Sequence, residues 1–220
     1  MNIHNYPRIV PAGDAGWTVE FGREIDPAVN DRVLAFAEAL AAHSPDGLIE
    51  VVPTFCSATV YFDPLVVEAD ELADRLLAVA ASAPDRRRPS SRLVEVPVRY
   101  GGECGPDLED LAGQVRLPVE RVIALHASVE YRVYMLGFMP GFPYLGKVPE
   151  ALALPRLATP RPNVPAGSVG LAGNQTGIYP IDCPGGWRLI GRTPRRLYDP
   201  QRDQPFLFEP GDRVRFLPIT

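Results

Sequence analysis

The sequence predicts an α+β protein in two parts, and three observations carry that expectation. A polar, proline-bearing break falls near residue 88. A strand–helix–strand–strand–helix pattern precedes it, and short strands joined by tight turns follow it. The predicted division is residues 1–88 and 89–220.

In the first part, Trp17-Thr18-Val19-Glu20-Phe21 alternates apolar and polar residues, as a half-buried strand does. Asp26-Pro27 is a helix start, with Asp as cap and Pro at the first helical position. Val29, Val33, Phe36 and Leu40 then recur at helical spacing. Leu48–Pro53 and Ala58–Phe62 read as strands, the second ended by Asp63-Pro64. A second amphipathic helix carries Leu72, Leu76 and Val79 on one face. This order predicts a ferredoxin-like arrangement, an open sheet with helices on one side. Ser82 to Ser91 is read as a solvated linker, because it holds two prolines and three consecutive arginines and no apolar period crosses it.

In the second part, Leu93–Val98 is a strand, Gly101–Gly105 a loop, and Pro106-Asp107-Leu108 the opening of a short helix. Leu117-Pro118 starts another helix running to about His126, and Glu130–Leu136 alternates as a strand. Residues 137–186 contain 9 Gly and 9 Pro, a composition often found in disordered chains. Phe138, Phe142, Tyr144, Leu145, Ile178, Tyr179 and Trp187 run through and just past that stretch. Aromatics in that number bury large apolar areas, so the segment is expected to be ordered as a barrel-like all-β domain. Arg196–Tyr198 and Val214–Leu217 are the expected final strands, with Pro210-Gly211-Asp212 as the turn between them.

Composition narrows the function classes. Hydrophobic residues make up 46% of 220 residues, enough for real cores, and no apolar run of about 18 residues suggests a membrane span. Met1–Pro11 carries polar and charged residues where a signal peptide needs an apolar stretch, so a cytoplasmic protein is expected. Three cysteines, odd in number and widely spaced, give neither a disulfide framework nor a zinc pattern. The net charge of −5 is uneven: residues 1–90 hold 7 basic and 14 acidic residues, residues 91–220 hold 15 and 13. Nothing resembles the clustered basic footprint of a nucleic-acid binder.

Several common chemistries are absent. There is no Gly-x-x-x-x-Gly-Lys-Ser/Thr phosphate loop. Gly167, Gly170, Gly173 and Gly177 have the wrong spacing for a dinucleotide fingerprint and read as turns or close backbone approaches. Ser168 lacks the glycine two positions earlier that a nucleophile elbow needs. His4, His43 and His126 are isolated, so no metal ligand set is expected. What remains is softer. His126, at a helix end, reads either as a satisfied core group or as a proton-exchanging one. Arg156, Arg161, Arg188 and Arg192 fall among prolines and glycines, where a guanidinium forms a loop ion pair or grips a carboxylate through two parallel bonds. The turn-rich run is expected to present backbone N–H groups toward an anion. Cys183 has no neighbouring His or Lys to lower its pKa and reads as inert.

The run Tyr131-Arg132-Val133-Tyr134-Met135-Leu136-Gly137-Phe138-Met139-Pro140-Gly141-Phe142-Pro143-Tyr144-Leu145-Gly146 resembles a signature of the family that holds the B subunit of 5-oxoprolinase. The same family includes the sporulation kinase inhibitor KipI, allophanate hydrolase subunit 1-like proteins and a region of urea carboxylase. Further matches are Ala158–Arg161, Val164–Gly170, Gln175–Pro180, Pro184–Pro194, Tyr100–Glu103 with Gly105–Leu108, and Gly13-Asp14 with Val19–Gly22. Asn174 stands where Gly is usual and Cys183 where Ser is usual.

The resemblance implies a ferredoxin-like N-terminal domain and a cyclophilin-like β-barrel C-terminal domain, without isomerase activity. It implies work with partner C and A subunits, which together open the lactam 5-oxoproline to glutamate with ATP as co-substrate. The ATP site is then shared with those partners or supplied by them. On this expectation the catalytic candidates are His126 and Tyr179, and the substrate-binding candidates are Arg161, Arg192, Ser168, Gln175 and Phe142. Amides around Gly167 to Gln175 would polarise the lactam carbonyl. The rival expectations are a non-enzymatic inhibitor of a sensor histidine kinase, and a component acting on urea-derived carboxylates.

Overall fold

The computed structural model describes residues 6–82 and 92–220, so the linker read between Ser82 and Ser91 lies outside the described residues apart from its first one. The chain divides into two compact units, Met1–Ser90 and Ser91–Thr220.

The first unit runs β1 (Arg8–Pro11), β2 (Gly16–Glu20), α1 (Pro27–Ala42), β3 (Leu48–Pro53), β4 (Ser57–Phe62) and α2 (Ala69–Ser82). Its strands form one antiparallel sheet in the order β1-β2-β4-β3. Alternation in β4 sends Ala58, Val60 and Phe62 inward, where they meet Val33, Phe36 and Leu40 of α1 and Leu72, Leu76 and Ala80 of α2. The Asp26 carboxylate accepts from the Ala28 and Val29 amides at 2.8 and 3.2 Å, and Pro27 opens the helix as its sequence requires. Strand β1 is not legible in the sequence. It occupies the edge beside β2 and precedes it, so the sheet begins with a hairpin that the strand–helix–strand–strand–helix reading omits.

The second unit contains β5 (Leu93–Tyr100), α3 (Leu108–Val115), α4 (Val119–Ala127), β6 (Glu130–Leu136), β7 (Pro143–Gly146), β8 (Arg161–Val164), β9 (Ser168–Ala172), β10 (Gln175–Ile178), β11 (Cys183–Gly185), β12 (Arg188–Arg192) and β13 (Arg213–Ile219). Seven strands close a barrel in the order β10-β7-β6-β13-β5-β12-β9, and β8 and β11 form a separate two-stranded ribbon. Closure leaves the barrel without an open edge. The β5–β13 pair is parallel along its whole length, while its neighbours are antiparallel. Val96, Val98, Tyr131, Val133, Leu145, Val169, Leu171, Ile190, Val214 and Phe216 fill the interior. Helices α3 and α4 join this core through Leu108, Leu111 and Val122.

The structure corrects two expectations at this level. Arg196–Tyr198 is not a strand; only an isolated bridge joins Tyr198 to Phe206, and Asp199 holds Arg196 and Arg202 at 3.1 and 3.2 Å. Gly167–Gln175 is not a loop of free amides either. It is mostly the β9–β10 hairpin, whose N–H groups are used in the ladder and in bonds such as Gly167 to the Tyr179 carbonyl at 2.7 Å. Most of those amides are thereby engaged within the fold.

Candidate functional site

The recognisable block folds into a cluster on the outer face of the barrel wall. Alternation decides the faces: Thr176 of β10 points inward, and Gly177 outward. A Cβ at Gly177 would lie 2.8 Å from Phe142 and 3.0 Å from Trp187, so the missing side chain is what lets both rings settle on the strand. Phe142 is the hub of the cluster. It makes edge-on contacts with Phe138, Tyr144, Tyr179 and Trp187 at centroid distances of 5.0–5.7 Å. Gly185 of the β8–β11 ribbon closes one side, with no room for a Cβ against the Tyr179 ring.

These rings, with Pro160, Pro184 and Arg156, line a cavity of about 280 Å³. Phe138 at its mouth is 64% exposed and holds φ +67°, a left-handed conformation that costs a non-glycine residue about 1–2 kcal/mol. This strained position thus presents an exposed aromatic beside the cavity. Burial pushes the Tyr179 hydroxyl up to about 12, against the opposing effect of a bonded Trp187 backbone N–H. At neutral pH Tyr179 is therefore a hydrogen-bond donor, not a base. Arg156 has no carboxylate partner among the described residues.

A second, wider cavity of about 800 Å³ lies on the same unit. Arg99, Arg192, Arg195 and Arg196 line it, together with Asp182 and apolar walls from Pro180, Ile181 and Tyr198. Successive residues of one segment serve both sites: Tyr179 faces the aromatic cavity, Pro180–Asp182 the arginine-lined one, and Pro184–Trp187 the aromatic one again.

The structure disperses the remaining sequence candidates. His126 projects from α4 into the barrel, fully buried and outside both cavities. Its Nδ1 accepts from the Tyr100 hydroxyl at 2.7 Å, and its Nε2–H donates to Thr176 Oγ1 at 3.0 Å. Thr176 in turn donates to the Gly170 carbonyl at 3.1 Å, which fixes that tautomer. The ring stacks on Phe216 at 4.5 Å, and burial lowers its pKa to about 3. The imidazole is thus neutral near pH 7, with both nitrogens hydrogen-bonded inside the core.

Arg161 is not open to a ligand carboxylate in full. Its Nη2 donates to Asp107 Oδ1 at 2.5 Å, while Asp107 Oδ2 accepts from the Leu189 amide at 2.6 Å. Its Nη1 is buried with no hydrogen-bond partner among the described residues. Arg188 is likewise engaged, with Asp110 at 2.9 Å and the Pro155 carbonyl at 3.0 Å. Gln175 lies on β10 with a buried, unpartnered Nε2, and Ser168 is buried on β9. Ser168 is the register partner of Arg192, and Arg192 of Arg99, so the three form one row across β9, β12 and β5. Of the sequence candidates, Phe142 and Tyr179 come together at one cavity, which also takes in Tyr144, Trp187 and Arg156. Tyr144 and Trp187 were legible only as members of a buried aromatic set. Arg99 carried no signal at all, because its relation to Arg192 exists only in the sheet register.

Burial raises the Cys183 thiol, with Asp182 adding to the effect, so this cysteine is a poor nucleophile. Among the described residues no group of three or more His, Cys, Asp or Glu is arranged to hold a metal ion.

The chain belongs to the family described as carboxyltransferase domain, subdomain C and D, which it matches over residues 7–208. It is 44% identical to the 5-oxoprolinase B subunit of Bacillus subtilis (strain 168), covering 97% of this chain and 93% of that protein. It is 43% identical to the 5-oxoprolinase B subunit of Escherichia coli O157:H7, covering 94% and 93%. Among solved structures it superposes on TTHA0988 with a TM-score of 0.82 at 45% identity, covering 93% of this chain and spanning 40% of the length of that one. The Kluyveromyces lactis urea carboxylase, at 21% identity and a TM-score of 0.79, shares the fold; 96% of this chain aligns with 22% of that one.

Proposed function

We propose that this chain is the B subunit of an ATP-dependent 5-oxoprolinase complex, acting with A and C subunits to hydrolyse 5-oxo-L-proline to L-glutamate in the cytoplasm. The observation that carries the reading is the aromatic cavity inside the family signature, with an arginine at its rim that no carboxylate of the described residues pairs. Its size suits a small cyclic amide, its rings suit the apolar ring atoms, and Arg156 suits the single carboxylate. Tyr179, held as the phenol and lining the same cavity, would donate to the lactam carbonyl oxygen. In the complex, that oxygen would attack the γ-phosphorus of ATP with loss of ADP. Water would then add at the activated carbon and the C–N bond would open with a proton passing to the nitrogen, leaving an acyl phosphate, which a second water would hydrolyse to the free carboxylate and phosphate. The names of the close relatives support this assignment, and three cysteines outside any disulfide suit a reducing compartment. In the same reading the N-terminal unit is a ferredoxin-like variant whose order β2-β4-β3 matches that pattern and whose fourth strand, β1, comes first in the chain.

The test is Arg156→Ala in a mixture reconstituted with the A and C subunits. Loss of a charge-assisted bond to the carboxylate should lower kcat/KM for 5-oxoproline by about 10- to 100-fold. Unchanged kcat/KM would remove Arg156 from the site.

A further inference from the structure

We propose that the arginine-lined cavity is an oligophosphate site, and that it takes the triphosphate of a nucleotide. Arg192 of β12 and Arg99 of β5 are direct partners in an antiparallel pair, and both line the cavity. Like charges directly opposite each other on neighbouring strands are unfavourable, and here no Asp or Glu side chain of the described residues is paired with either one. Each guanidinium is held through Nε, Arg99 by a main-chain oxygen of the last residue, Thr220, at 3.1 Å and Arg192 by the Ala166 carbonyl at 3.0 Å. Among the described residues, that leaves the Nη groups of both side chains uncommitted. Arg195 is held through Nη1 instead, 2.8 Å from the Glu95 carbonyl, which leaves its Nη2 and Nε uncommitted among the described residues.

Three oriented guanidiniums around one concavity match the oxygens of linked phosphates, which accept bidentate bonds and cancel the repulsion. Arg196 adds less, because Asp199 pairs with it at 3.1 Å. Asp182, the one carboxylate in the lining, accepts from the Ala166 amide at 2.7 Å and is turned to the loop. A volume of about 800 Å³ with apolar walls favours a whole nucleotide over a lone inorganic ion. The consecutive residues Tyr179 and Pro180 face the two cavities, so a triphosphate here would neighbour the lactam site. The identification of the ligand as ATP rests on the function proposed above; the oligophosphate chemistry does not.

The test uses the full chain, alone and in the reconstituted mixture, titrated with ATP, inorganic tripolyphosphate and an acidic peptide by calorimetry. Wild type should bind ATP and tripolyphosphate, and Arg99→Met and Arg192→Met should each weaken both by about ten-fold or more. Arg192→Lys should recover part of the loss, since it restores the charge without the fork. Without ligand, each methionine variant should keep the wild-type circular dichroism spectrum and a cooperative melt, because its guanidinium is held by a single main-chain bond; loss of the folded spectrum would show a structural role and overturn the proposal. Absence of triphosphate binding in both settings, binding that both variants leave intact, or preference for the acidic peptide would also overturn it. If the variants lose triphosphate binding while the wild-type mixture makes no glutamate from 5-oxoproline, the site stands and the substrate assignment falls. If the variants make glutamate at the full rate, the site falls and the assignment stands.

Discussion

His126 shows how burial converts a reactive residue into a structural one. Its ring completes a chain from the Tyr100 hydroxyl to the Gly170 carbonyl through Thr176, and both ring nitrogens are used in that chain. Desolvation lowers its pKa to about 3, below the ordinary value of 6.5. The native ring is therefore neutral over a range in which the unfolded chain binds a proton. Its contribution is complete above about pH 6.5 and is lost as pH falls toward 3, with a slope of at most about 1.4 kcal/mol per pH unit. Urea unfolding midpoints at pH 7 and pH 5 should differ more in wild type than in His126→Gln, and equal differences would contradict this reading. The sequence left His126 open between a core group and a proton carrier, because the residues that satisfy it stand 26 and 50 positions away. Arg161 was obscured in the same way, since its partner Asp107 lies 54 positions earlier.

At the scale of elements, the aromatic cavity depends on one strand position. Gly177 lies beneath Phe142 and Trp187, and any side chain there must displace two large rings. Gly177→Ala should destabilise the fold by about 1–3 kcal/mol through overpacking, and weaken 5-oxoproline binding beyond what stability explains. Chemical denaturation with parallel substrate titration checks both; a neutral change in each would show that the rings move freely. Local signals made α1 legible, since Asp26-Pro27 carries its own cap, and they made β2, β4 and β6 legible through alternation. The Arg8–Pro11 strand escaped because four residues ending in proline offer no alternation to read. The β8–β11 ribbon escaped because Cys183–Gly185 is a strand only by virtue of Arg161–Val164 beside it.

At the scale of the molecule, the Gly- and Pro-rich stretch is ordered as its aromatics require, because the barrel buries them on its outer wall as well as inside. Which rings face which cavity was not legible, because that depends on closure of seven strands. The two cavities flanking the Tyr179–Trp187 segment support the central proposal, that this chain contributes a lactam-binding surface to a larger ATP-dependent hydrolase. The most direct measurement is glutamate release from 5-oxoproline by the reconstituted three-component mixture, with ATP and each protein omitted in turn. ATP-dependent release from the complete mixture, lost when this chain is withheld, is the predicted result. Release at an undiminished rate without this chain, or none from the complete mixture, would contradict it.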